Sequence, residues 1–226
     1  MNARNDKIVE TLNKRQTGLT VLMDEVHKPH NLAAVVRTCD AVGIGDVNAV
    51  YPKGMIKSLH GTSMGSNRWV ATRVHEDLDQ GFQFVKAQKM QVLAAHFSDK
   101  AVDYRDIDYT KPTAILLGAE KFGVSAQGAE MADQHVIIPM MGMVQSLNVS
   151  VAAAIILYEA QRQRQQAGLY QQRQISDELF EKLRFEWLHP KVTKFCKQHN
   201  IRYPKINEIG DIKDKEWDQI RKSVNQ

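Results

Sequence analysis

Apolar residues along this chain fall into short runs separated by stretches of helical spacing. Strand-like runs stand at 19–23 (LTVLM), 47–51 (VNAVY), 90–95 (MQVLAA), 113–118 (TAILLG) and 135–138 (HVII). Between the first two, HNLAAVVRTCDAV places apolar residues on one helical face and stops at Gly43, and another helix is expected over 77–89. This alternation predicts an α/β domain with a mostly parallel sheet and helices on both faces. Before the first strand, 6–15 reads as a short amphipathic helix carrying Lys7, Lys14 and Arg15. The last long apolar run, VSVAAAIILYEAQ from Val149, is too long and too alanine-rich for a strand and is expected to be helical to about Gln165. From Asp177 onward two or three further helices are expected. The pattern divides the chain into an N-terminal basic helix (1–17), an α/β domain (18–165) and a helical C-terminal extension (166–226).

Composition narrows the class. With 226 residues, 43% hydrophobic and 25% charged, the chain is globular and long enough for a full core. A net charge of +4 permits a nucleic-acid partner without requiring one. The sharpest local asymmetry is QRQRQQAGLYQQRQ, which holds Arg162, Arg164 and Arg173 and no acid. It fits either an RNA contact or a solvated helix end, where cations suit the negative end of the dipole. Cys39 and Cys196 stand far apart with no CxxC spacing, so reduced thiols are expected, with no disulfide framework and no cysteine-built zinc site. His27 and His30 lack a third ligand at a metal-binding spacing, and no metal is expected. The N-terminus lacks a signal-peptide pattern and no run approaches membrane-spanning length, which predicts a cytosolic protein.

Three segments carry candidate chemistry. In IIPMMGMVQSLNVS, Pro139 stops sheet pairing, Gly142 frees the backbone, and Ser146 and Asn148 supply cap-type side chains before a helix. A loop entering a helix this way offers backbone N–H groups to an anion, a nucleotide or a carboxylate. In HKPHNLAAVVRTCDAVG, Asn31 opens the first crossover helix and Arg37 follows nearly two turns later. An arginine there needs an anionic partner, which Asp40 or a phosphate would satisfy equally. In AILLGAEKFGVS, a strand opens into a glycine loop holding Glu120. Gly118 and Gly123 have P-loop spacing, but Val124 stands where a P-loop needs lysine, so a nucleotide-triphosphatase reading fails at its most diagnostic position. No GxGxxG follows any expected strand.

Taken in order, N-x5-R, LLGAEKFG and IPMMGMVQSLNVSVAAAI resemble the three motifs of the SPOUT class of RNA 2'-O-ribose methyltransferases. Within that class the chain is most similar to the TrmH family, which acts on guanosine 18 of tRNA. The resemblance covers about 18–165, and the basic N-terminal helix and helical C-terminal extension extend it to nearly the whole chain. It implies a C-terminal trefoil knot, S-adenosylmethionine as cofactor, tRNA as substrate and a homodimer. Cofactor contacts are implied at Ala95, Gly118, Ile138 and Leu147. Catalytic roles are implied for Asn31, Arg37, Glu120, Ser146 and Asn148, with Arg37 at the reacting 2'-oxygen and reaching the other subunit's cofactor pocket. Guanidinium holds its proton far above neutral pH, so Arg37 suits electrostatic stabilisation better than proton abstraction. For tRNA contact the basic residues flanking the domain are the candidates: Arg4, Lys7, Arg15, Arg162, Arg164 and Arg173. Two other readings stay open, a ribosomal RNA ribose methyltransferase of the same class and a non-catalytic RNA-binding protein. Trp187, Tyr170 and Phe185 fit base stacking or, more commonly, core packing.

Overall fold

A computed structural model describes residues 2–26, 28–51, 68–120, 122–213 and 217–218. His27 lies outside the described residues. The chain forms two compact units, one of residues 16–170 and one in which residues 1–15 join residues 171–226.

The larger unit is built on a seven-stranded sheet of β1 (Leu19–Asp24), β2 (Asp46–Val50), β3 (Ala71–His75), β4 (Gln91–Ala95), β5 (Val102–Asp103), β6 (Thr113–Leu117) and β7 (Gln134–Ile137). Its order is β3-β2-β1-β6-β4-β7-β5 and every pairing is parallel. All six residues of β1 and all five of β6 are buried, which explains why they are mostly apolar, with Thr20, Asp24 and Thr113 the polar exceptions: a parallel strand covered on both faces has no exposed side. Alternate residues serve opposite faces. Ile115 and Leu117 pack with α2 (Pro29–Ala41) and α5 (Val149–Gln166), through Val35, Val36, Ile156 and Leu157. Ala114 and Leu116 pack on the other face with Phe82 and Val85 of α3 (Leu78–Ala87). The short α4 (Ala126–Met131) precedes β7.

In the smaller unit α1 (Ala3–Asn13) packs against α6 (Asp177–Leu188), followed by α7 (Pro190–Gln198). The two chain ends, which the sequence pattern separates, therefore form a single unit. Arg184 explains part of its cohesion: buried, it donates to Asn5 Oδ1 at 2.9 Å and to the carbonyls of Asn207 and Glu208. Phe185 and Trp187 are buried, and Phe185 stacks on Tyr203 with ring centroids 4.8 Å apart. These aromatics thus serve the core. Among the described residues no helix is long and apolar enough to cross a membrane, and no group of three His, Cys, Asp or Glu side chains is arranged to hold a metal. Both cysteines are buried and outside any disulfide.

Candidate active site

In a parallel sheet all strands end at one edge, where their loops meet. The first meeting joins the ends of β1 and β6. Asp24 is buried at the end of β1, and its Oδ2 accepts the Ser125 N–H at 2.9 Å, while Ser125 Oγ accepts the Gly128 N–H to cap α4. Between them Gly123 adopts φ +70° and its N–H donates to the Ala119 carbonyl at 2.7 Å. A Cβ on Gly118 would stand 1.9 Å from the Gly123 carbonyl carbon, so this loop closes on itself only because that position is glycine. Val124 is buried in the α3-side core, as a packing residue and not a phosphate ligand. The Glu120 carboxylate, 19% exposed, forms an ion pair with Lys28 and lies 4.0 Å from His30 Nε2. Helix α2 starts there with no side-chain cap and no acid in its first turn. Glu120 supplies the negative charge that a helix N-terminus favours.

The second meeting joins α2 and α5. Asn148 caps α5: its Oδ1 accepts the Ser150 N–H at 2.8 Å and the Ser150 hydroxyl at 2.6 Å, and its Nδ2 donates to Asn31 Oδ1 at 3.3 Å. Asn31 is 2% exposed, yet among the described residues its own Nδ2 has no partner. A buried donor left in that state costs about 1–3 kcal/mol. Arg37 is exposed on α2 and makes no ion pair or hydrogen bond among the described residues. The pairing with Asp40 that would have given it a purely structural role is not formed.

The third meeting, past the ends of β4 and β7, is a cavity of about 830 Å³. Ala95, Ile138, Ser146 and Leu147 line it, together with His96 and, from α5, Ile156. Burial and the neighbouring His135 ring push the His96 pKa down, favouring the neutral imidazole. His135 is itself held, donating from Nε2 to the Ala129 carbonyl at 2.8 Å while Nδ1 meets Ser98 Oγ at 2.7 Å. Among the described residues no lysine or arginine lines this cavity. Its size, apolar walls and loop backbone suit a flat heterocycle, and the lack of lining cations suits a positively charged group beside it. Gly118 is not part of this lining, and its need for glycine is met within its own loop.

The profile of the SpoU rRNA methylase family matches residues 18–158, and that of the SpoU rRNA methylase C-terminal region matches residues 162–215. The chain belongs to the SpoU methylase family. Its relatives include the tRNA (guanosine(18)-2'-O)-methyltransferase of Escherichia coli K12, 48% identical over 93% of each chain. The enzyme of the same name from Thermus thermophilus is 53% identical over 82% of this chain and 96% of its own. Among solved structures, the Aquifex aeolicus TrmH/SpoU tRNA modifying enzyme superposes with a TM-score of 0.76 at 41% identity, covering 84% of this chain and 97% of its own. The SpoU methyltransferase AviRb of Streptomyces viridochromogenes, solved in complex with AdoMet, gives 0.57 at 30% identity over 65% of this chain and 60% of its own.

In this SpoU methylase the basic residues expected to meet RNA divide sharply. Arg164 is 2% exposed and donates to Gln16 Oε1, the Gly18 carbonyl and the Tyr109 carbonyl at 2.9–3.1 Å. Arg15 is equally buried, its guanidinium 5.3 Å from the centre of the Trp187 ring. Both expectations are corrected: these charges are enclosed by the fold and present no surface to a phosphate. Arg4, Lys7 and Arg162 are exposed. Arg4 donates to the Trp187 carbonyl at 2.8 Å, Lys7 pairs with Glu10 at 3.1 Å and Arg162 with Glu159 at 2.6 Å. Arg173 pairs with Asp177 and lies 4.5 Å over the Phe180 ring. The acid-free stretch in the sequence thus finds its acids just outside its own bounds, at Glu159 and Asp177. Sequence reasoning passed over Asp24, Lys28, His96 and Ser150. Asp24 had a signal, a carboxylate closing an otherwise apolar parallel strand; Lys28 and His96 had none beyond lying beside the motifs.

Proposed function

We propose that this chain transfers a methyl group from S-adenosylmethionine to the 2'-oxygen of guanosine 18 in the D-loop of tRNA. The observation that carries the reading is the 830 Å³ cavity, walled by the Ile138–Leu147 segment and free of lining lysine and arginine among the described residues, together with the Asn31–Asn148 bond beside it. Relatives covering 93% and 82% of the chain are named for that reaction, which favours tRNA over ribosomal RNA.

S-adenosylmethionine, when bound, supplies an electrophilic methyl group on a sulfonium. Ile138, Leu147 and Ala95 would hold it through apolar contact and loop backbone, excluding water from the reacting centre, and His96, kept neutral, adds no competing positive charge. Attack by a ribose oxygen builds negative charge on that oxygen. Arg37 is suited to offset it, since a guanidinium remains charged at any working pH. Removal of the proton falls to another acceptor, for which a phosphate oxygen of the RNA is suited. Within one chain Arg37 lies outside the cavity lining. This supports a homodimer in which Arg37 serves the partner's cavity. The rim offers apolar surface for such an interface: Met141 and Met143 are 95% and 99% exposed, and Val151 and Tyr158 stand seven residues apart on one face of α5. The strand order β6-β4-β7-β5, with β6 inserted beside β4 after the excursion to the β5 edge, supports the trefoil knot implied by the resemblance. Arg4, Lys7, Arg162 and Arg173 are the candidates for phosphate contact, and such an enzyme acts in the cytoplasm, where its substrate is.

Unmodified tRNA transcript and a ribosomal RNA fragment, offered separately with labelled S-adenosylmethionine, test the substrate. Label in tRNA alone is expected; label in the ribosomal fragment alone contradicts the reading. Arg37→Ala is expected to bind cofactor normally, by calorimetry, and to lose at least ~100-fold in methyl transfer. Turnover close to the parent's would remove Arg37 from the chemistry.

A further inference from the structure

The amide groups at the start of α5 run in one direction only. A backbone N–H can donate but never accept, so the 2.8 Å contact from the Ser150 N–H identifies the facing atom of Asn148 as its oxygen. The Ser150 hydroxyl fills the second lone pair of that oxygen at 2.6 Å. The remaining atom, Nδ2, must then be the donor to Asn31 at 3.3 Å, which makes the receiving atom of Asn31 an oxygen. Reversing the Asn148 amide would set its NH2 against the Ser150 N–H. The buried Nδ2 of Asn31, left without an acceptor, is the consequence: the helix cap decides the polarity and Asn31 conforms to it. Asn148 itself is exposed. Its acceptor side is closed, and among the described residues one Nδ2 hydrogen is uncommitted.

We propose that Ser150 and Asn31 are positioning residues that make Asn148 a donor-only group in the methyl-transfer site. Asn148 donates its uncommitted N–H to the ribose 2'-oxygen as that oxygen gains negative charge, and it takes no proton. As the oxygen–methyl bond forms, the methyl–sulfur bond breaks and sulfur keeps the electron pair; the 2'-proton leaves to a phosphate oxygen of the RNA and on to water. The inference rests on the ribose-methylation reading above. It extends that reading by assigning the direction of one hydrogen bond and the residue that enforces it.

The test uses the full chain with Asn148→Asp. A carboxylate at this position still accepts both Ser150 donors and caps the helix as well as asparagine does. It also gives the Asn31 amide, once turned, the acceptor it lacks. The expected result is a thermal midpoint equal to or above the parent's and S-adenosylmethionine affinity within about threefold. Single-turnover methyl transfer to tRNA falls by about 100-fold or more, the cost typical of losing one donor to a developing oxyanion. Transfer within threefold of the parent's rate would overturn the proposal. Ser150→Ala should lower kcat about threefold to tenfold at unchanged KM for tRNA, the effect of one hydrogen bond, and Ser150→Thr should restore it. A Ser150→Ala loss seen only as a lowered thermal midpoint, with kcat intact, would reduce Ser150 to a structural cap and overturn its role. If the unaltered chain methylates no RNA, the ribose-methylation reading itself falls, and this inference with it.

Discussion

Arg162 and Arg164 stand two positions apart, about 200° around a helix, and have opposite fates. Arg164 continues the stripe of Ile156 and Ala160 at steps of four and is buried with them, its guanidinium satisfied by the carbonyls of Gly18 and Tyr109, which lie just ahead of β1 and β6. The stripe was legible in the sequence; the charge asymmetry around it drew the residue to the surface instead. Arg164→Met should therefore cost roughly 2–4 kcal/mol in urea unfolding, because it strands buried carbonyls. Arg162→Ala should change stability by no more than about 0.5 kcal/mol while weakening tRNA binding and its salt dependence. Equal stability of the two variants would contradict the burial argument. The motif residues were easier to read. Asn148 carries cap chemistry that is local, and it caps α5, while Glu120, in the loop after β6, pairs with Lys28 at the start of α2. The bonds between distant motifs, Asn31 to Asn148 across 117 positions, have no signature in a single sequence.

Elements with strong periodicity emerged within a few residues of their expected bounds, among them β1, β6, α2 and α5. Those missed were short or polar. β3 (Ala71–His75) has mostly exposed or half-buried residues because it is the sheet edge, β5 has two residues, and α4 is held by its Ser125 cap and packing more than by its own pattern. The edge strand nevertheless carries a buried polar chain. His75 Nε2 donates to Asn48 Oδ1 at 3.0 Å, Asn48 Nδ2 donates to Thr20 Oγ1 at 3.2 Å, and Thr20 donates to the Asp46 carbonyl at 2.9 Å. Burial, aided by the Arg73 charge, pushes the His75 pKa below its usual 6.5. Below pH 6.5 the unfolded chain then binds more protons at this site than the folded one, so stability falls with acid until pH passes the depressed native value. His75→Gln, which can keep a donor to Asn48, should flatten the decline of the denaturation midpoint from pH 6.5 downward. An unchanged decline would remove His75 as its source.

At the scale of the molecule, the SpoU methylase assignment joins an all-parallel sheet, a cavity where β4 and β7 end, and paired asparagines from two helices. The α/β class and the motif order were legible because buried parallel strands and loop–helix junctions write themselves in apolar runs, glycines and cap residues. The union of both chain ends in one unit was not, since it depends on packing between α1 and α6 across most of the sequence. If two copies complete one site, the exposed face of α5 should matter to activity as well as to assembly. Tyr158→Glu is expected to shift sedimentation equilibrium toward monomer and to lower methyl transfer at least ~10-fold, because a buried unpaired charge at an interface is costly. A monomer with full activity would contradict a shared site.

Ribose methylation at guanosine 18 is tested by treating unmodified tRNA with the purified chain and S-adenosylmethionine and mapping the product by mass spectrometry of nuclease fragments. A matched tRNA carrying 2'-deoxyguanosine at position 18 serves as the parallel substrate. A single added methyl group on the ribose of guanosine 18 is expected, and none in the deoxy substrate. A methyl group on a base, at another nucleotide, or retained in the deoxy substrate would contradict it.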